Sequence, residues 1–397
     1  LIDAVNAHDV DTARTVLHKG ANPNVRDQWG HETPLIDAIS LRDAKLTTLL
    51  LTHGADPNYA NVDGKTPLMA AAGAGDINLV RRLLNLGAHV DAAENNRLPP
   101  ELAHDPRGKT VLMWAVEGGS VDVVRVLLSK GAPPNARDAD GSTALVDAAG
   151  QGKLEVLRLL LSNGGHFDRA RDSYSALSDA ARSNYGAMVA KLLSLGLDPN
   201  AHDEVGFTPL IEASMQNEVA IDALLLQHGA KVDAQDHGGD TALMLAAYHG
   251  AVAAINLLHA HGAEVDHRND RGETALITAA QEDQAGSITR LVASGAKVDG
   301  IDNAGATALL HAALQNHPTC VRTLLGLGAD ANASTRFGMS VLAAAVESDG
   351  GIDIVTILLD HGAKIDTADT GGVTPLMRAH QRGKADVVKL LEDRGAK

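Results

Sequence analysis

The sequence predicts an all-α solenoid of helix–turn–helix repeats with projecting turns, and three observations carry the prediction. A Thr-x-Leu beat returns nearly every 33 residues, from Thr33-Pro34-Leu35 and Thr66-Pro67-Leu68 through Thr110, Thr143, Ser175, Thr208, Thr241, Thr274, Thr307 and Ser340 to Thr374-Pro375-Leu376. A second beat, Leu-Leu-x-x-Gly-Ala, places glycines at 20, 54, 87, 131, 164, 196, 229, 262, 295, 328, 362 and 395. Only nine of the 397 residues are aromatic, while Ala, Leu and Val dominate, which suits thin, closely packed helix layers. A fixed period in this range means units that cannot bury their apolar faces without neighbours. The expected domain is therefore 1–397, one solenoid of about twelve repeats. Its first repeat is expected to be truncated at the N-terminus, because Leu1-Ile2-Asp3-Ala4-Val5 aligns with Leu35-Ile36-Asp37-Ala38-Ile39, past the first beat.

Residues 61–93 show how one repeat is built. Asn61 to Lys65 read as a turn in which Gly64 supplies a positive φ. Thr66 is the expected N-cap and Pro67 the first helical residue, where a missing N–H costs nothing. Leu68, Ala71 and Ala72 form the apolar stripe of a short first helix, ended by Gly75. At the Gly75 position other repeats carry Gly119, Gly152, Asn184, Asn217, Gly250, Asp283, Asn316, Asp349 and Gly383, residue types that tolerate the left-handed region. Ile77, Val80, Leu83 and Leu84 then repeat at helical spacing, and Gly87 closes the second helix.

This pattern resembles the ankyrin-repeat family, whose motif Asp-x-x-Gly-x-Thr-Pro-Leu-His-x-Ala is met closely by Asp203 to Ala213. The resemblance spans the chain and implies an ankyrin-repeat solenoid whose partners meet the turns and the concave face of the first helices. One departure is systematic. The family's His after the Leu is replaced throughout, by Ile36, Met69, Met113, Val146, Ser178, Ile211, Met244, Ile277, Leu310, Ala343 and Met377. Stacking is therefore expected to rely more on apolar packing.

The period breaks in three places. Between Thr66 and Thr110 the interval grows to 44, which puts an insertion near 92–104 whose Asn-Asn and Pro-Pro pairs read as a loop or short helical excursion. Ser175 comes one residue early without the turn glycine, leaving Tyr174 in a tightened turn. Asp349-Gly350-Gly351 adds one residue between two helices. The segment at about 369–397, with its charged last helix, reads as a C-terminal cap.

Composition narrows the function. A formal charge of -16 argues against a nucleic-acid partner and favours a protein with a basic or neutral surface. A single cysteine, Cys320, excludes disulfides and cysteine-based metal sites. No apolar run is long enough to insert in a membrane, and a soluble location is expected, the cytoplasm ahead of the periplasm or the exterior. Phosphate-loop, zinc-protease, nucleophile-elbow and paired-cysteine motifs are missing, so no enzyme, cofactor or metal is expected. His53, His228, His261 and His361 each precede a closing glycine, where a donor suits the last carbonyls. Asp138, Asp172, Asp203, Asp236, Asp302 and Asp369 read as turn formers bonding nearby N–H groups. The run Ala136 to Gly141 is faintly calcium-loop-like, but Ala136 fills the first ligand position.

Binding is expected where residues depart from what the scaffold needs. Trp29, Tyr174, Phe207, Phe337 and Met339 occupy turn positions, and Met215 and Tyr248 end first helices. Aromatics are favoured interface anchors. Repeats six to eight concentrate the signal, with Tyr174 and Arg182, then Phe207 and Met215, then Tyr248, along a strip roughly 20 Å long. Trp114, inside a first helix, reads either as half-buried packing or as a contact residue. These features predict a non-catalytic protein–protein interaction scaffold. The alternative is the recognition arm of a larger enzyme, redox protein or transporter whose active part lies upstream of residue 1. A third reading places a small-ligand or ion site at the 92–104 insertion.

Overall fold

The computed structural model describes residues 1–27, 31, 33–94, 108–349 and 351–397. It contains two compact units, Leu1–Ser183 and Asn184–Lys397. Helices follow one another along the chain as a short first helix and a longer second one, except that the first helix Arg169–Arg182 is the longer of its pair, and no named strand is present among the described residues.

The Thr-x-Leu beat works as read. In every repeat from Thr33 to Thr374 except that of Ser175, the Thr or Ser side chain accepts a hydrogen bond from the amide three residues on. This satisfies one of the amides that a helix start leaves unpaired. In two repeats the methionine that replaces the family's His adds a weak bond, Met69 Sδ accepting from Thr66 N at 3.3 Å and Met113 Sδ from Thr110 N at 3.4 Å. The second beat fills the core. Leu50, Leu83, Leu127 and Leu160 in the first unit, and Leu192, Leu225, Leu258, Leu291, Leu324, Leu358 and Leu391 in the second, are all fully buried. Each closing glycine takes a positive φ, as does the glycine two residues before the beat wherever a repeat from Gly64 to Gly372 has one.

Polar ties also cross between repeats, which the loss of the family's His had not led us to expect. Four residues after the closing glycine an Asn grips the next repeat with both ends of its amide. Asn200 Nδ2 donates to Gly229 O at 2.9 Å, and its Oδ1 accepts from Lys231 N at 2.8 Å. Asn58 and Asn135 do the same in the first unit. Asp233, Asp266 and Asp299 keep only the accepting half. Stacking thus rests on hydrogen bonds at this edge as well as on apolar packing.

Two sequence expectations fail locally. Arg169–Arg182 is one continuous helix of 14 residues, so Tyr174 and Ser175 lie inside a helix and no tightened turn exists there. Asp168 caps it through Ala170 N, and no glycine follows in the stretch that elsewhere forms the turn. Asp349 is not left-handed, although Asn184, Asn217, Asp283 and Asn316 are. The added residue lengthens that link, and the first helix there ends on Ser348 in extended conformation.

Candidate functional site

In the first unit the helices Val111–Gly118, Ala144–Gly150 and Arg169–Arg182 and the turn 138–142 enclose a groove of about 770 Å³. Six carboxylates line it, Glu117, Asp138, Asp140, Asp147, Asp172 and Asp179, against three cations, Lys109, Arg171 and Arg182. Burial pushes the Asp147 carboxyl up to about 6, a rise that neighbouring Asp138 and Glu117 reinforce and the Ser142 hydroxyl, donating at 2.9 Å, opposes. Asp172 is already neutralised, since Arg137 Nη1 and Nη2 donate to its two oxygens at 2.8 and 3.3 Å. That hydrogen bond, ahead of the ion-pair attraction, holds the Arg137 guanidinium above its ordinary value. Arg182 reaches Asp179 at 3.6 Å with both side chains about half exposed, a pair worth little in water. The groove therefore keeps an excess of negative charge.

In the second unit the projecting turns are tied into a ladder. His237 N donates to Val205 O, Asp270 N to Gly238 O, Asn303 N to Arg271 O, Arg336 N to Ala304 O and Thr370 N to Phe337 O, all at 2.8–3.1 Å. The turns are stiffened from within by the aspartates that the sequence marked. Asp203 Oδ1 accepts from Val205 N and Phe207 N, Asp236 from Gly238 N and Asp240 N, Asp302 from Ala304 N and Ala306 N, and Asp369 from Gly371 N and Val373 N. In the first unit Asp138 does the same for Ser142 N. Asp172 is the exception, because its stretch is helical.

Phe337 stands at the outer edge of this ladder. Its backbone is fixed on both sides, Arg336 N bonding to Ala304 O at 2.9 Å and the Thr370 amide and hydroxyl both donating to Phe337 O, at 3.1 and 3.0 Å. Its side chain is nevertheless 73% exposed. Val205, at the corresponding place four turns earlier, is 53% exposed. Behind the tips lies a polar network in which Asn269, Arg271 and Gln281 all donate to Glu273. Burial raises the Glu273 pKa, but these bonds overcome it and hold the group below its ordinary range.

The other residues singled out by sequence fall in different settings. Phe207 and Met215 are half-buried in the second unit. Tyr248 is exposed at the end of its helix, its ring 5.1 Å from that of His249. Its hydroxyl donates to the Glu282 carboxylate, which raises the tyrosine pKa. Tyr174 is half-buried on the Arg169–Arg182 helix, and Arg182 lines the acidic groove. Tyr174 and Arg182 thus belong to the first unit, Phe207, Met215, Tyr248 and Phe337 to the second. Trp29 and most of the 92–104 insertion lie outside the described residues. Trp114 is half-buried: its indole N–H donates to Glu94 at 3.1 Å, and the Lys65 and Lys109 ammonium groups sit 4.2 and 5.3 Å from its ring centre. The four helix-end histidines each place Nδ1 2.8–2.9 Å from the carbonyl four residues earlier, a structural role that fixes the ring.

The family model described as ankyrin repeats (3 copies) matches residues 1–94, 92–171, 177–269, 243–335 and 327–397. This chain belongs to the ankyrin-repeat family. No curated protein matches it. Ankyrin repeats are in general protein–protein interaction modules and typically carry no catalysis. Among the described residues of this ankyrin-repeat chain, no helix is long and apolar enough to cross a membrane.

The groove itself was missed by the sequence reading, although a signal for it existed. Four residues after each beat the chain reads Asp37, Ala70, Trp114, Asp147, Asp179, Glu212, Leu245, Thr278, His311, Ala344 and Arg378. In first helices whose other positions are mostly small or apolar, this column and the one three residues on vary in chemistry from repeat to repeat. Two of the groove carboxylates, Asp147 and Asp179, stand in the first of these columns.

Proposed function

We propose that this chain is a non-catalytic module that binds a protein partner through its turns and the outward positions of its first helices. The observation that carries the reading is Phe337, a large apolar side chain left in water on a backbone that hydrogen bonds hold from both sides. Holding an anchor rigid before binding lowers the entropy lost on association, and aromatic anchors dominate interface energies. In the second unit Val205, Phe207, Met215 and Tyr248 are secondary contacts to that anchor. In the first unit the partner is a basic segment. Its Lys or Arg side chains enter the groove of Glu117, Asp140, Asp147 and Asp179, with Arg182 at its wall and Tyr174 on the same helix as a further contact. Six carboxylates against three cations favour a basic protein surface over nucleic acid.

The test is a quantitative pull-down with the wild type, Phe337→Ala and the pair Asp140→Asn with Asp147→Asn, all checked for an unchanged helical spectrum. Loss of the same partner from Phe337→Ala, by a factor of ten or more, supports the apolar anchor. Weaker capture by the Asn pair, together with a salt dependence that the pair reduces, supports the basic segment. Equal capture by all three proteins removes the reading.

A further inference from the structure

We propose that Asp222 is a pH-sensitive joint of the second unit: with its carboxyl protonated the repeat of helices Pro209–Met215 and Val219–Gln227 closes tightly, and with its carboxylate charged that repeat loosens. The placement is the reason. Asp222 is fully buried seven residues before the closing glycine, where five other second helices of this unit hold Val189, Ile255, Ile288, Val321 and Val355, all fully buried. Its Oδ1 lies 3.0 Å from the hydroxyl of Ser214, and its Oδ2 is buried without a partner. Ser214 too departs from its column, in which Ala247, Ala280, Ala313 and Val346 are all fully buried. Two polar residues that meet each other thus replace two apolar ones in the same repeat.

A neutral carboxyl needs only such a partner, whereas a buried carboxylate needs a cation or several donors. None is supplied. The charged or titratable side chains on the helices packed against it are Lys191, Glu212 and His259. The one charge acting on it appreciably, Glu218, opposes ionisation. Burial, ahead of that repulsion and against the Ser214 bond, raises the group from 3.8 to about 7. Over that range the folded chain holds at Asp222 a proton that the unfolded chain has lost, so this group's contribution to stability falls as pH rises from about 4 to about 7 and is level above.

The experiment is hydrogen exchange on the full chain at pH 5 to 8, each rate divided by the intrinsic rate at that pH, for wild type, Asp222→Asn and Asp222→Val. The expected result is a protection factor for the amides of Ile211–Ser214 and Ile221–Leu225 that drops about tenfold per pH unit up to pH 7 in wild type. Both variants should lack that drop, and Asp222→Val should be the better protected at pH 8. Should one variant fail to fold, the other still decides. A wild-type profile parallel to that of a folded variant overturns the proposal.

Discussion

Replacing Gly206 by Ala should destabilise the second unit by about 2–3 kcal/mol, and the figure has two separable parts. Gly206 sits at φ +90°, where an L side chain costs about 1–2 kcal/mol. A Cβ there would also stand 2.8 Å from Asp236 Cα and 2.9 Å from His237 N, both backbone atoms that no rotamer change can move. That contact pushes apart the turns joined by the His237 N to Val205 O bond at 2.8 Å, whose loss adds about 1 kcal/mol. Gly229→Ala is the control, since Gly229 has φ +91° but nothing within 4 Å of its added Cβ. It should show the conformational part alone. Urea titrations followed by far-UV circular dichroism, with hydrogen exchange at His237 as a local probe, give both values. Equal losses from the two substitutions would refute the claim that the turn ladder contributes to stability.

Two further outcomes follow from the polar ties. Asn200→Ala removes a donor to Gly229 O and an acceptor for Lys231 N and should cost about 1–2 kcal/mol, read as a lower urea midpoint. Arg137→Ala leaves the buried Asp172 carboxylate without its guanidinium and should cost about 3 kcal/mol in thermal or urea unfolding of the first unit, with Arg137→Lys recovering part of it.

Much of the fold was legible because each repeat states the same local rule. A Thr cap, a turn Asp and a positive-φ glycine are all satisfied by atoms within a few residues, so their roles can be read from spacing alone. The Arg169–Arg182 helix shows the limit of that reading. A Ser at the beat position is not enough to start a helix once Asp168 has capped one earlier and no glycine intervenes to stop it. The Asn200 clamp escaped notice because its partners lie 29 and 31 residues away, one repeat on, and nothing in the local pattern names them. The candidate surface was legible in part. Phe337 stood out as an aromatic the scaffold does not need, and the structure adds that its backbone is fixed. The acidic groove joins residues of three repeats, and only comparison down a column brings Asp147 and Asp179 together.

The most direct test of partner binding through the turn edge is site-specific photo-crosslinking. A benzophenone amino acid placed at Phe337 should give a discrete crosslinked species in a lysate of the source cells, and the same group at Asp353, on the exposed side of the Ile352–Asp360 helix, should give none. A crosslink of equal yield at both positions, or one at Asp353 alone, would contradict the account.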